Sequence, residues 1–218
     1  MSVKLIGITA PFAGHNHAED MIVYMARVSN PSNQSMTRGD EKLIRYLIKN
    51  QHWSPFEMVN VVMEINTTRD IARQILRHRS FAFQEFSQRY ADPTKDLGFA
   101  LREARLQDNK NRQNSIETDD DYIKERWEEQ QMSVVYKATQ AYEWAIANGI
   151  AKEQARAVLP EGNTQSRMYM NGTLRSWIHY CELRRANGTQ KEHMEVADEC
   201  WKIIAEKFPN VARALEQQ

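Results

Sequence analysis

The chain has 218 residues, enough for one domain with a sizeable core, and 29 basic residues balance 29 acidic ones. This zero net charge argues against a nucleic-acid-binding protein, which usually carries a basic excess. Hydrophobic residues make up 41% and charged residues 27%, as in globular proteins, and no apolar run approaches the roughly 20 residues that cross a bilayer. We therefore expect neither a nucleic-acid partner nor a membrane partner.

The first half of the chain alternates between strand and helix patterns. Ser54, Pro55 and Glu57 resemble a capping box with proline at the first helical position, so a helix is expected to begin there. The other elements predicted here are a strand at 3–9, helices at 18–28 and 41–50, a β-branched strand at 59–65, and a helix capped by Thr67 or Thr68 that runs to about Arg79.

The second half is mainly helical. Residues 102–121 are polar and nearly free of aromatic residues, and are expected to form a surface excursion. No internal repeat and no linker is visible, so the predicted fold class is α+β, a single helix-rich domain over residues 1–218. The predicted elements are helices at 121–148 and 152–159, a strand at 166–171, and helices at 173–186 and 190–208.

Cysteine usage and the chain start indicate a compartment. Cys181 and Cys200 fall within helical patterns and do not suggest a disulfide framework. The start at Met1 lacks the long apolar stretch of a secretory signal. A reducing cytoplasm is the expected location.

Common cofactor and metal motifs are absent. The sequence has no G-x-G-x-x-G, no G-x-x-x-x-G-K-[ST], no C-x-x-C and no H-E-x-x-H. Glu192, His193, Glu195 and Glu199 come nearest to a metal set, but a solvated acidic face is the favoured interpretation. We expect no metal site, and a nucleotide or flavin site would have to be built differently.

The most informative stretch is 73–90. Gln74 and His78 border the apolar face of the predicted helix, and Arg79 comes where that helix should end. A short loop of residues 85–89, Glu-Phe-Ser-Gln-Arg, follows. Guanidinium groups hold phosphate oxygens in bidentate fashion, so this set favours a phosphate site.

Two alternatives apply to this stretch. Any single arginine is more simply explained as part of a solvated face paired with Asp70 or Glu85, although the set as a whole favours a site. Phe81, Phe83 and Phe86 are suited to stacking on a flat ring, but their alternation favours a core position.

The motif Arg77-His78-Arg79 followed by Ser87-x-Arg89 resembles the signature R-H-R-x-x-S-x-x-x-x-S-x-R of flavin-dependent thymidylate synthases. Further segments similar to family landmarks follow in the family's order at 26–29, 52–57, 155–160 and 183–184. Two positions differ from the family pattern. Ala82 replaces a usual serine, and Gly188 stands where many members have a histidine near the flavin, so no histidine contact is carried over.

The resemblance implies a mixed α/β fold and a homotetramer with FAD at its interfaces. It implies conversion of dUMP to dTMP with 5,10-methylenetetrahydrofolate as one-carbon donor, FAD as hydride and methylene carrier, and NADPH as reductant. The FAD-binding residues it implies are Ser29, Ser54, Glu57, Arg77, His78, Arg79, Arg175 and His179. The dUMP-binding residues it implies are Gln74, Arg77, Glu85, Phe86, Ser87, Gln88, Arg89, Arg156 and Arg184, with the phosphate on Ser87, Arg89 and Arg156.

Arg184 is the candidate catalytic residue. It shares a helical stripe with Trp177 and Cys181, and a guanidinium against a buried face is costly unless it is paired. A structural salt bridge is the alternative to the implied role, which is contact with the uracil ring that favours negative charge there. Ser87 is interpreted as a phosphate ligand rather than a nucleophile, because no general base lies next to it in sequence.

Three other functions compete with this interpretation. An RNA-binding module would use the arginines and phenylalanines of 73–90. A structural protein would assemble through the helix at 121–148. A flavoprotein of this fold without methyl transfer would be signalled by Ala82.

Overall fold

The computed structural model describes residues 1–11, 14–34 and 40–217, and it is built around an antiparallel sheet. The sheet order is β1-β2-β6-β3, and β4 pairs with β5 in a separate hairpin. The strands are β1 (Ser2–Ile8), β2 (Asn60–Thr68), β3 (Phe81–Glu85), β4 (Arg105–Gln107), β5 (Ser115–Glu117) and β6 (Gln165–Thr173).

Helices account for most of the remaining chain. They are α1 (Ala18–Ala26), α2 (Asp40–Lys49), α3 (Arg69–Ile75), α4 (Pro93–Asp96), α5 (Asp121–Ala147), α6 (Lys152–Ala155), α7 (Leu174–Arg184), α8 (Lys191–Lys207) and α9 (Pro209–Glu216). Short 3-10 helices cover Arg27–Ser29, Pro31–Asn33, Ser54–Met58 and Arg156–Val158. The predicted α+β class is confirmed.

One face of the sheet carries the main core. Val61, Met63 and Ile65 of β2 are almost fully buried, whereas the intervening Val62 and Glu64 are only partly so. This period of two follows from the pleat, which sends successive side chains to opposite faces. The core side packs against α1, α3, α7 and α8, which also supply buried apolar residues.

The sequence-based prediction was wrong about several boundaries in the first half of the chain. The segment Ser54–Met58 is a 3-10 helix with Trp53 at its N-cap, and no side chain caps it. Since β2 already begins at Asn60, there is no room for a longer helix. Helix α3 ends at Ile75 rather than near Arg79, because the chain must turn back to bring Phe81 beside β6. Strand β3 was not predicted.

Two features of the second half were also missed. The segment expected to be a surface excursion contains the β4–β5 hairpin, and Arg102 and Arg105 within it are mostly buried. Helix α9 follows α8 beyond the predicted end at Phe208. The long helix α5 agrees with its prediction, and no helix in the described ranges is long and apolar enough to span a membrane.

The sheet requires a glycine beneath Phe81. Gly172 of β6 lies directly opposite Phe81 of β3, and a Cβ added at Gly172 would come within 2.3 Å of the Phe81 ring. That ring also packs edge-on against Trp177 of α7, with 4.9 Å between centroids. Gly172 therefore lets β3, β6 and α7 close on one another.

Replacing Gly172 with alanine should destabilise the protein by about 1–3 kcal/mol, because overpacking forces the partly buried Phe81 ring to move. Gly162→Ala is the matched control, since nothing lies within 4 Å of an added Cβ there. Chemical denaturation of both variants measures the difference. Equal stabilities for the two variants would contradict this account of the sheet.

Candidate functional site

The end of α3, helix α7 and the first turn of α8 bring together five side chains, which we name the His78 cluster: Gln74, His78, Tyr180, Arg184 and His193. Arg184 donates from Nε to Nε2 of His78 over 2.9 Å. Nδ1 of His193 lies 3.2 Å from Oε1 of Gln74, and Nε2 of His193 lies 3.2 Å from the Tyr180 hydroxyl. Three elements thus join around a core of polar groups.

Both histidines of this cluster are held uncharged. Burial, and then the charge of Arg184, lower the pKa of His78 to about 4. Burial, and then Arg184 and His78, lower the pKa of His193 to about 3. Because Nε2 of His78 accepts from Arg184, the neutral ring carries its proton on Nδ1.

A second group, the Glu57 cluster, forms where α7 meets the 3-10 helix Ser54–Met58. Arg175 donates to the Glu57 carboxylate, and the His179 ring packs edge-on against Trp53 at 4.7 Å between centroids. Ser54 and Val28 line a shallow, mainly apolar groove of about 310 Å³, and the exposed Ser29 is next to Val28 in sequence. A flat aromatic molecule with polar edges suits such a surface.

The end of β3 fixes a carboxylate. One oxygen of Glu85 accepts from the Ser166 hydroxyl over 2.8 Å and the other from Arg73 over 3.1 Å. The largely buried Arg69 lies 3.7 Å away. Both predicted site residues on this strand end, Glu85 and Phe86, are anchored, since the Phe86 amide donates to the carbonyl of Arg167.

The loop after β3 and the helix α6 form a third group, the Arg89 cluster. Arg89 pairs with the Glu153 carboxylate at 3.5 Å, and Arg156 donates to the Glu153 carbonyl. The Ser87 hydroxyl accepts from the Arg89 amide over 3.4 Å. Gln88 is buried, and its Nε2 has no hydrogen-bond partner within the described part of the chain. Buried amides are normally paired, so this donor is available for a ligand.

Arg77 and Arg79 flank His78 on the surface. Both are exposed, and neither side chain forms a hydrogen bond or ion pair with any residue that the structure describes. The alternative in which these arginines pair with Asp70 and Glu85 holds for neither of them: Glu85 pairs with Arg73 and Asp70 with Arg102. Two unpaired guanidinium groups beside a neutral histidine suit an anionic ligand.

The predicted site is thus only partly assembled within the chain. Arg175, His179 and Arg184 share α7, and the Arg73–Glu85 pair links α3 to β3. Among the described residues, no hydrogen bond or ion pair joins Ser87, Arg89 or Arg156 to the Glu57 cluster.

Sequence reasoning overlooked several contributors. Tyr180, Trp53 and His193 all touch predicted site residues. The expectation of a solvated acidic face was wrong for Glu192 and His193, which are 5% and 0% exposed. The signal was present, because His193 lies three and seven residues before Val196 and Cys200 on the buried stripe of α8.

Two other expectations concern residues near the site. Phe81 and Phe83 pack against the core, which confirms the core interpretation for both. Ala82 is exposed between them, so the alternation of β3 turns it away from α7.

Among the described residues, no group of three or more His, Cys, Asp or Glu is placed to hold a metal.

Comparison with known proteins identifies the family. Residues 12–210 match the family described as thymidylate synthase complementing protein. The chain is 46% identical to a probable flavin-dependent thymidylate synthase of Paramecium bursaria Chlorella virus 1, with 99% of each chain covered. It is 48% identical to a flavin-dependent thymidylate synthase of Synechocystis, covering 99% of this chain and all of the relative. The chain belongs to this family of flavin-dependent thymidylate synthases.

A solved structure has the same fold as this chain. A UMP/dUMP methylase of Streptomyces cacaoi, solved with 5-Br dUMP bound, superposes with a TM-score of 0.82 at 25% identity. The alignment covers 99% of this chain and 94% of the methylase. The fold described above is therefore also that of a pyrimidine nucleotide methylase.

The low pKa of His78 predicts acid sensitivity. The unfolded chain binds this proton near the ordinary histidine pKa of about 6.5, whereas the folded protein binds it only near pH 4. The contribution of the neutral His78 ring to the free energy of unfolding is fully present above pH 6.5. It is lost as the pH falls towards 4, by at most about 1.4 kcal/mol per pH unit.

The free energy of unfolding, measured with urea at each pH in this range, should change less steeply with pH for His78→Gln than for the wild type. His52→Gln, which removes an exposed histidine, serves as control and should retain the wild-type slope. A wild-type slope in His78→Gln would show that this ring titrates normally.

Proposed function

We propose that this protein is a thymidylate synthase that converts dUMP to dTMP, with 5,10-methylenetetrahydrofolate as one-carbon donor, FAD as cofactor and NADPH as reductant. The observation that carries the proposal is the similarity, over 99% of this chain, to a probable and a named flavin-dependent thymidylate synthase at 46% and 48% identity. The motif of Arg77, His78, Arg79, Ser87 and Arg89 supports it. Its first three residues lie between α3 and β3, where His78 accepts from Arg184 of α7, and the other two follow β3.

The residues fit FAD. Arg77 and Arg79, whose guanidinium groups have no partner among the described residues, would bind its phosphates. The Glu57 cluster offers Ser54, Arg175 and the rings of Trp53 and His179. Ser29 follows Val28, which lines the groove beside Ser54. His78, with a proton on Nδ1, is a neutral donor beside these cations. When bound, FAD supplies the hydride chemistry that no side chain provides.

The nucleotide would be held mainly by the Arg89 cluster. Arg89 already pairs with the Glu153 carboxylate, and Arg156 donates to the Glu153 carbonyl. A dianionic phosphate would displace the exposed Arg89–Glu153 ion pair at little cost. Ser87 would add a hydroxyl to the phosphate, and Gln88 its unpaired buried amide. Gln74, Arg77, Glu85 and Phe86 complete the proposed set of dUMP ligands.

Arg184 would act on the pyrimidine ring. Its Nε donates to His78, which fixes the plane of the guanidinium. Neither Nη group has a partner among the described residues, so both can bind the ligand. A fixed cation placed where negative charge develops lowers the barrier more than one that must reorganise. Among the described residues Arg184 has no carboxylate partner, so the structural salt bridge does not explain it.

Cysteine attack on uracil has no support in this fold. Cys181 and Cys200 are free and fully buried, and burial raises the pKa of both thiols. A protonated thiol inside a helix core is a poor nucleophile. The chemistry therefore rests on the cofactor, with the chain binding and orienting the substrates. Free thiols also suit the cytoplasmic location that we propose.

We further propose a homotetramer of single-domain chains, with the site completed between subunits. Helix α5 exposes Trp127, Tyr136 and Trp144 by 45%, 64% and 63% of their surfaces. Large exposed aromatic side chains often mark protein interfaces. Packing between chains would also bring together the Arg89 and Glu57 clusters, which no hydrogen bond or ion pair joins within the described part of the chain.

The purified protein should carry FAD, or bind it stoichiometrically, and form dTMP from dUMP with the folate and NADPH. Visible absorbance and dTMP quantification by chromatography test the two parts, and UMP tests the preference for the deoxynucleotide. A colourless protein that cannot be reconstituted with FAD would overturn the proposal.

The two arginines should have separable effects. Arg89→Ala should weaken dUMP binding roughly ten- to a hundredfold, since a charge-assisted contact contributes about 1.5–3 kcal/mol. Arg184→Ala should lower kcat as well as dUMP affinity, because its contact strengthens as charge develops on the ring.

Arg185→Ala is the control for Arg184, since it removes a neighbouring guanidinium that pairs with Asp198 on α8. Isothermal titration on flavin-loaded protein measures the dUMP affinity of each variant, and steady-state kinetics measure its kcat. Unfolding of Arg184→Ala with normal nucleotide affinity in its folded fraction would make that arginine structural.

A further inference from the structure

A chain of hydrogen bonds runs through the His78 cluster to a carboxylate on α8. Its members are Tyr180, His193, Gln74, Gln190 and Glu192. Gln190 donates from Nε2 to Glu192 over 2.9 Å, and Gln74 donates from Nε2 to Oε1 of Gln190 over 2.8 Å. The remaining two contacts join His193 to Gln74 and to Tyr180.

Glu192 determines the direction of every bond in this chain. A carboxylate only accepts hydrogen bonds, so the amide of Gln190 must turn its nitrogen towards Glu192 and its oxygen towards Gln74. Gln74 must then turn its nitrogen to Gln190 and its oxygen to His193. His193 consequently carries its proton on Nδ1, and its Nε2 accepts from the Tyr180 hydroxyl.

The environment keeps Glu192 ionised. Its side chain is 7% exposed and one oxygen is held by Arg105 at 2.6 Å and by Arg102 at 3.3 Å. Burial acts to raise its pKa, but the bond from Arg105 and the charge of Arg102 outweigh burial, and the pKa lies below its ordinary value. Arg102 is itself anchored by Asp70 at 2.8 Å.

We propose that Glu192 is a positioning residue that fixes the orientation of the Gln74 amide, and so presents a Gln74 N–H to an acceptor oxygen of the pyrimidine nucleotide. The Gln74 oxygen faces the fully buried His193, whereas its nitrogen lies on the side of the more accessible Gln190. One of its two N–H groups binds Gln190, which leaves the other for the ligand. This role rests on the proposed function, because it requires Gln74 to contact the nucleotide.

The direction of the chain is measurable without any ligand. Protein labelled with 15N-histidine reports by NMR which nitrogen of each ring carries the proton, and His193→Gln identifies the His193 signals. The wild type should show His193 protonated on Nδ1. The amide introduced by Glu192→Gln can donate as well as accept, so the amides of Gln190 and Gln74 can then face either way. The His193 signal should therefore shift towards the Nε2-protonated form.

Glu195→Gln is the matched control, because it removes the same charge from the same helix and Glu195 forms no hydrogen bond or ion pair with the described residues. It should leave the tautomer unchanged. Gln190→Met is the second variant, in case Glu192→Gln does not fold. It breaks the chain but retains the pairing of Glu192 with Arg102 and Arg105, and should give the same shift.

Affinity for dUMP completes the test. Glu192→Gln and Gln190→Met should bind dUMP about tenfold more weakly, with flavin content equal to the wild type, and Glu195→Gln should bind it normally. An Nε2-protonated His193 in the wild type, or an unchanged tautomer or dUMP affinity in both variants, overturns the inference. A wild type that forms no dTMP overturns the proposed function instead, and the tautomer still reports whether the chain has a direction.

Discussion

The packing of Phe81 over Gly172 is the contact on which the rest of the site depends. It closes β3 onto β6, and the same ring lies 4.9 Å from Trp177 and 6.0 Å from Tyr180 between centroids. Because α3 leads into β3 and α7 follows β6, this contact sets how the two helices face each other. His78 and Arg184 are 106 positions apart in sequence and meet because these elements are locked together.

Electrostatics explain why so polar a cluster can be partly buried, with Tyr180 and His193 fully so. Arginine keeps its charge in nearly any environment, whereas a histidine can give up its proton at a smaller cost. Arg184 therefore remains cationic while the pKa of His78 and that of His193 fall to about 4 and about 3. The cluster holds one positive charge rather than three, and its neutral rings act as hydrogen-bonding groups of fixed direction.

The segment between β3 and α5 has a larger role than its polar composition suggests. Arg102 and Arg105 reach from it to Glu192 at the start of α8, and Lys191 pairs with Glu103 and Glu117 of the same segment. The β4–β5 hairpin is thus fastened to the helix whose first turn touches Gln74. This helix end therefore connects the hairpin to Gln74, a proposed nucleotide ligand.

The sequence alone determined the class of fold, most of the longer helices and strands, and the family. Hydrophobic periods of two and 3.6 residues report which side chains must face a core, and they located β1, β2, α1, α2, α5, α7 and α8 with small errors. The spacing of Arg77-His78-Arg79 and Ser87-x-Arg89 led to the flavin-dependent thymidylate synthases, the family that the comparisons show. Only the tertiary structure decided that α3 stops at Ile75, that β3 is a strand and that Glu192 is buried. Each of these depends on partners far away in sequence, since β3 forms by pairing with β6 and Glu192 is neutralised by Arg102 and Arg105, and local patterns carry no information about such partners.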